Sequence, residues 1–340
     1  MKILHLLVLS LFMSGWANAQ STTATFTKLD IAGESLPSIS HMTEMKMQGN
    51  DTLYFVFESE DSHGQRFLRR AVIDSTNTTL TVGPDLGKQD DGYYVSYMPY
   101  PCVADNGYIQ IINQDDGEIF TVENGTMLAS TKQYLMRENI ATPLPLSYYV
   151  QDIFLTGNNE YIFRGREPNG GRQFAMKADI SDSRIDTLRT LCLNPNLSDW
   201  MPNTGEMAYS GSRRRIAFAY RLHPVIELFD MNGKKTNTVT LGEATFDPKT
   251  LDEADLEDLN PLHTIDLTAT SDYIFALYWG YRFSDSVKAS PSIHKLDWDG
   301  NIIKSYTNIP FPLQKIAAID NDLLIGWSGQ QFFLIRQHIH

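Results

Sequence analysis

Short turns recur along this chain at intervals of roughly 50 to 60 residues, and a repeat of that length severely limits the folds available. The turns are Gly49-Asn50-Asp51, Asp105-Asn106-Gly107, Gly157-Asn158-Asn159, Gly211-Ser212-Arg213, Ser271-Asp272 and Asp320-Asn321-Asp322. A strand-length run of β-branched and aromatic residues follows each one, at 53–57, 108–112, 161–163, 216–220, 273–278 and 323–327. A second hairpin is visible in later units. Residues 227–230 lead through Met231-Asn232-Gly233-Lys234 to 238–241, and 294–297 lead through Trp298-Asp299-Gly300-Asn301 to 302–306. Asn-Gly and Asp-Gly supply the positive φ angles that tight hairpin turns need.

Units of this length, each two hairpins deep, match the blades of a propeller. The spacing predicts an all-β, six-bladed β-propeller with blades at 40–86, 97–133, 148–194, 205–243, 262–309 and 313–338. The last unit is short of a fourth strand. Residues 23–29 alternate in polarity, and this N-terminal strand is expected to close the ring, removing the open sheet edges of an unclosed stack. The competing fold is a pair of stacked sheets, which the six-fold spacing disfavours. One stretch reads as helical: 248–259, started by Asp247-Pro248 and rich in carboxylates. It lacks the central glycine of an EF-hand loop. It is therefore expected to be a short, solvated acidic helical insertion between blades four and five.

The first residues read as an address. Lys2 gives a positive start, 3–13 are mostly apolar, and Ala17-Asn18-Ala19 has the form cut by signal peptidase. Residues 1–19 are thus expected to be a signal peptide and 20–340 a single propeller domain. The apolar run is shorter than the roughly 20 residues that span a bilayer, and no cysteine follows it to carry a lipid. The expected product is exported, periplasmic or extracellular, without lipid anchor or membrane span, and monomeric. A net charge of −13 repels nucleic acid and anionic membranes. The two cysteines, Cys102 and Cys192, fall in different predicted blades, so separate thiols are expected.

Two segments go beyond the generic pattern. One is Arg215-Ile216-Ala217-Phe218-Ala219-Tyr220, followed by Ile226-Glu227-Leu228-Phe229-Asp230 and Asn232-Gly233. The other is Asp266-Leu267-Thr268-Ala269-Thr270, then 273–278, then Leu296-Asp297-Trp298-Asp299-Gly300. Together they resemble the TolB-like six-bladed propeller family of exported Bacteroidetes proteins, most strongly over 206–327 and thinly before Met98. The resemblance implies a propeller outside the cytoplasm and brings with it no reaction and no catalytic residues. Many relatives are lipoproteins, and this chain departs from them in lacking the cysteine.

A propeller binds most often at the mouth of its channel. The residues leaving each second strand share one face, and there arginine recurs: Arg164 and Arg166, Arg221 with His223, and Arg282 after Tyr278 and Trp279. Guanidinium groups fork onto carboxylates, phosphates or sulfated sugars, and the aromatics offer a stacking face. Asp152, Asp266 and His263 are expected to join them from inner strands. The plainer reading is that these carboxylates pair with the arginines and tie blades together. The function expected is a binding module for an anionic small molecule, a saccharide or an envelope protein. The alternative is a metal-assisted hydrolase or lyase, with channel carboxylates around an ion such as calcium. No G-x-S-x-G, H-E-x-x-H or P-loop pattern occurs, and no cofactor is implied.

Overall fold

The computed structural model describes residues 21–337, apart from 23, 62–63, 87, 90–91, 94–98, 105–106, 114–117, 124–125, 128–149, 158, 168–170, 183, 194–195, 198, 243–250, 252–255 and 286–289. The expected signal peptide lies outside them. So does most of the acidic stretch, of which Leu256–Leu259 forms a single helical turn. No helix among the described residues is long and apolar enough to cross a membrane.

Six sheets form the blades. The first runs outward from Ile39–Gln48 through Thr52–Ser59 and Arg66–Asp74 to Thr79–Leu86, with Asp30–Gly33 added parallel at its edge. The second comprises Pro99–Val103, Ile109–Asn113, Ile119–Glu123 and Thr126–Met127. The third comprises Val150–Gly157, Glu160–Arg166, Gln173–Asp179 and Arg184–Thr190. Gly205–Ser210, Arg215–Tyr220, Val225–Asp230 and Lys235–Thr240 make the fourth. The fifth is Leu262–Ala269, Tyr273–Tyr281, Ser292–Asp297 and Ile302–Tyr306, with Ser21–Thr22 parallel outside. In the sixth, Lys315–Ala318, Leu323–Ser328 and Gln331–Gln337 are followed by Ala24–Lys28, paired antiparallel with the last of them. Each inner strand touches the next around the axis, and that of the sixth blade touches that of the first. The arrangement is a ring around a central channel.

The continuous apolar runs follow from this stacking, because a blade has neighbours on both faces. In 53–57, Leu53, Phe55 and Phe57 enter one core cluster, whereas Tyr54 and Val56 enter another. In the fourth blade Ile216, Phe218 and Tyr220 face one side while Ala217 and Ala219 face the other. Burying each large side chain contributes about 1.5–3 kcal/mol. The outer hairpins share one turn chemistry. Asp230 Oδ1 accepts the N–H groups of Asn232 and Lys234 at 2.9 and 3.0 Å. Asp297 Oδ1 accepts those of Asp299 and Asn301 at 3.0 and 2.8 Å. Gly233 and Gly300 hold the left-handed position in these turns, at φ of 75° and 88°. Cys102 is buried in the second blade and Cys192 follows the third, with no disulfide between them.

Candidate functional site

The inner strands are apolar except for a few charged positions, and the ring turns these toward the axis. Glu44 and Lys46 come from the first blade, Asp152 from the third, Glu206 from the fourth, Asp266 from the fifth and Lys315 from the sixth. Local backbone irregularity accompanies three of the acids. The ladder slips between Met42 and Glu44, between Gln151 and Phe154, and between Thr264 and Asp266. A β-bulge re-aims a side chain and bends its strand. Asp152 itself adopts a positive φ of 48°, a conformation that Asp tolerates better than most residues.

Four ion pairs result. Arg164 Nε donates to Asp152 Oδ2 at 2.7 Å, and an Arg221 amino nitrogen donates to Glu206 Oε1 at 2.8 Å. Lys315 Nζ donates to Asp266 Oδ1 at 3.2 Å, and Ile316 N–H donates to Oδ2 of the same carboxylate at 2.7 Å. Lys46 Nζ lies 3.6 Å from Glu44 Oε2, with its ammonium over the rings of Tyr100 and Phe154 at 5.2 and 5.6 Å.

The charges act on one another across the channel. Burial pushes the Glu44 carboxyl up to about 7, against the pull of Lys46 and Lys315. Glu206 goes the other way. Burial works to raise it, but Lys315, Arg221 and Arg164 together hold it below the usual carboxylate range. Burial also opposes the charge of Lys315, yet Asp266, Glu206 and Glu44 keep its ammonium firmly protonated. Among the described residues no group of three or more His, Cys, Asp or Glu side chains converges closely enough to hold a metal ion. Asp152 is engaged by Arg164, Asp266 by Lys315, and His263 by the Tyr278 hydroxyl at 3.1 Å.

At the mouth where the inner strands begin, the exposed His41 lies opposite Glu58, which accepts from Arg66 Nε at 2.8 Å. Desolvation by the surrounding chain lowers the His41 pKa first, and the field of Lys315 lowers it further. Arg66 and Arg221 act in the same direction and Glu58 opposes them. Of the residues expected at this rim, Asp152, Arg164, Arg221 and Asp266 join the channel layer. Arg164 is buried, while Arg221 keeps 30% of its side chain exposed. Arg166 lies over Trp200, its guanidinium carbon 4.2 Å from the ring centroid. Arg282 is exposed. Trp279 is buried, stacked on Tyr281 at 4.9 Å, and its indole N–H donates to Leu313 O at 2.9 Å. His223 is buried, and burial holds both it and His263 to about 4, so both are neutral at pH 7. Sequence reasoning missed Glu44, Lys46, Tyr100, Glu206, Lys315 and His41. The available signal was a charged residue interrupting the inner run of each of five units.

Six sheets ringed about a charged channel define the class: an all-β, six-bladed propeller. Solved structures agree on that class. The chain is similar to a crystal structure of a member of the DUF4221 family from Bacteroides vulgatus, with a TM-score of 0.59 at 10% identity over 94% of this chain and 97% of that one. A protein of unknown function from Bacteroides thetaiotaomicron gives 0.54 at 9% identity over 92% and 76%. The calcium-binding protein regucalcin from Agrobacterium tumefaciens gives 0.50 at 10% over 95% and 98%. At these identities the likeness shows the fold alone. No family model and no curated protein matches the sequence.

Proposed function

We propose that the protein is an exported, TolB-like binding propeller that holds a small anionic ligand at the channel mouth where the inner strands begin. The observation that carries this reading is Arg221, a channel-layer cation at this mouth that keeps 30% of its side chain exposed, in a chain of net charge −13. Arg221 fits the role, since its guanidinium is oriented by Glu206 while part of the side chain faces solvent. Arg282 lies exposed beyond the second strand of the fifth blade and extends the cationic rim. Export accords with the leader-like residues 1–19, with release before Gln20.

The test is a thermal-shift titration with phosphate, sulfate, citrate and glucuronate. At least one should raise the melting temperature of the mature chain, and Arg221→Ala combined with Arg282→Ala should remove that rise. An unchanged rise in the double variant would discard the mouth as the site.

A further inference from the structure

The opposite end of the channel is chemically different. There the inner strands end, and all six blades contribute to a cavity of about 440 Å³. Met47, Val103, Phe154, Tyr209 and Ala269 supply much of its accessible lining, and Lys46 is its single charged side chain among the described residues. This volume lies in the range of small-molecule sites, and the lining offers polar as well as apolar surface.

Lys46 also differs from the other channel cations. Arg164, Arg221 and Lys315 donate to their carboxylates at 2.7, 2.8 and 3.2 Å, within hydrogen-bonding range. The 3.6 Å between Lys46 and Glu44 is longer than a hydrogen bond. The ammonium is placed instead by the rings of Tyr100 and Phe154. It therefore stands at the cavity held in position, with its closest anion among the described residues at a distance that leaves room for a better one.

We propose that this cavity is a second binding site, distinct from the cationic mouth, for a monocarboxylate carried on an apolar body. The carboxylate bonds Lys46 Nζ and the body lies along Met47, Val103, Phe154 and Tyr209. The protonation of Glu44 supports this assignment, because a carboxyl that titrates near neutrality compensates Lys46 only in part. The bland alternative is that Lys46 serves only to balance Glu44, and the experiment separates the two.

Calorimetric titration of the mature chain would use decanoate, 1-decanol and decyltrimethylammonium, which share one apolar chain and differ in head charge. Decanoate should bind one per chain. Decanol should bind roughly tenfold more weakly, the worth of one charge-assisted hydrogen bond, and the cation should not bind. Lys46→Met should erase the preference for decanoate over decanol, and Lys46→Arg should keep it. Arg221→Ala, at the other mouth, should leave all three affinities unchanged, which separates this site from the one proposed above. Equal binding of the three probes, no binding of decanoate, or an undiminished preference in Lys46→Met overturns the proposal. The comparison of head groups is made on the unaltered protein, so it stands even if a variant fails to fold.

Discussion

Lys315 and Asp266 sit on inner strands of neighbouring blades, and one carboxylate joins the two: Oδ1 accepts from Lys315 Nζ at 3.2 Å while Oδ2 accepts the Ile316 N–H at 2.7 Å. The contact secures both the side chain and the backbone of the sixth inner strand. Other directional contacts also join blades, among them Lys295 with Asp322 at 3.1 Å and Arg213 with Asp272 at 2.8 Å, but these lie nearer the solvent. A directional pair buried between two blades fixes their register.

Asp266→Asn is therefore expected to destabilise the fold by about 3–5 kcal/mol, the cost of leaving one member of a buried pair without its partner. Adding Lys315→Met should recover much of that loss, since an apolar group of similar length needs no counter-charge. Urea unfolding of both variants measures this. A single substitution costing under about 1 kcal/mol would show that Glu206 alone satisfies Lys315.

Glu44 makes the protein weaker in alkali. Its folded pKa, about 7, is raised above the ordinary 4.5. The neutral carboxyl thus favours folding below pH 4.5, and this contribution disappears as pH rises through 7. The amount is on the order of 3 kcal/mol. Glu44→Gln keeps a neutral group at every pH. It should gain most of that amount at pH 8 and nothing at pH 4.5, read from unfolding free energies at the two values. Equal effects at both would refute a neutral Glu44.

His294 acts at the acid end. Its ring nitrogens lie 2.8 Å from Ser305 Oγ and 3.1 Å from Ser292 Oγ, and burial lowers its pKa to about 4. The unfolded chain takes up a proton near 6.5 and the folded one only near 4. The stabilisation from a neutral His294 is complete above pH 6.5 and is lost as pH falls toward 4, again on the order of 3 kcal/mol. Burial lowers His223 and His263 in the same direction. His294→Gln should flatten the slope of unfolding free energy against pH in this window, and a slope equal to that of the parent chain would rule the assignment out.

Much of the architecture was legible because propeller turns are local events. Asp230 with Gly233, and Asp297 with Gly300, build their hairpins from residues within four positions of one another, so the turn chemistry stands in the sequence. The site was far less legible. Asp152 and Arg164 could be paired from one hairpin, but Lys315 meets Asp266 and Glu206 only because six inner strands converge. Trp279 illustrates the reverse difficulty. An aromatic leaving a second strand reads as a rim platform, whereas its ring lies in the core against Tyr281, with Leu313 O accepting its indole proton. Sequence gives the polarity of a side chain at a strand end but not which blade rises beside it.

The ends of the chain supply the last prediction. Ala24–Lys28 pairs antiparallel with Gln331–Gln337, with Ala24 opposite Gln337 and Lys28 opposite Phe333. Phe26 adds an edge-on contact with Phe311 at 5.3 Å, and Phe311 in turn stacks on Phe333 at 4.1 Å. Deleting residues through Lys28 would expose the backbone donors and acceptors of Gln331–Gln337 as an open edge, the kind of edge on which chains associate. The shortened protein should melt at lower temperature and form aggregates in proportion to its concentration. Phe26→Ala, which keeps the backbone pairing, should cost only about 1–2 kcal/mol and leave the association state of the chain unchanged. Scanning calorimetry with light scattering distinguishes these outcomes, and a shortened chain as stable and as dispersed as the parent would mean that the ring holds without its first strand.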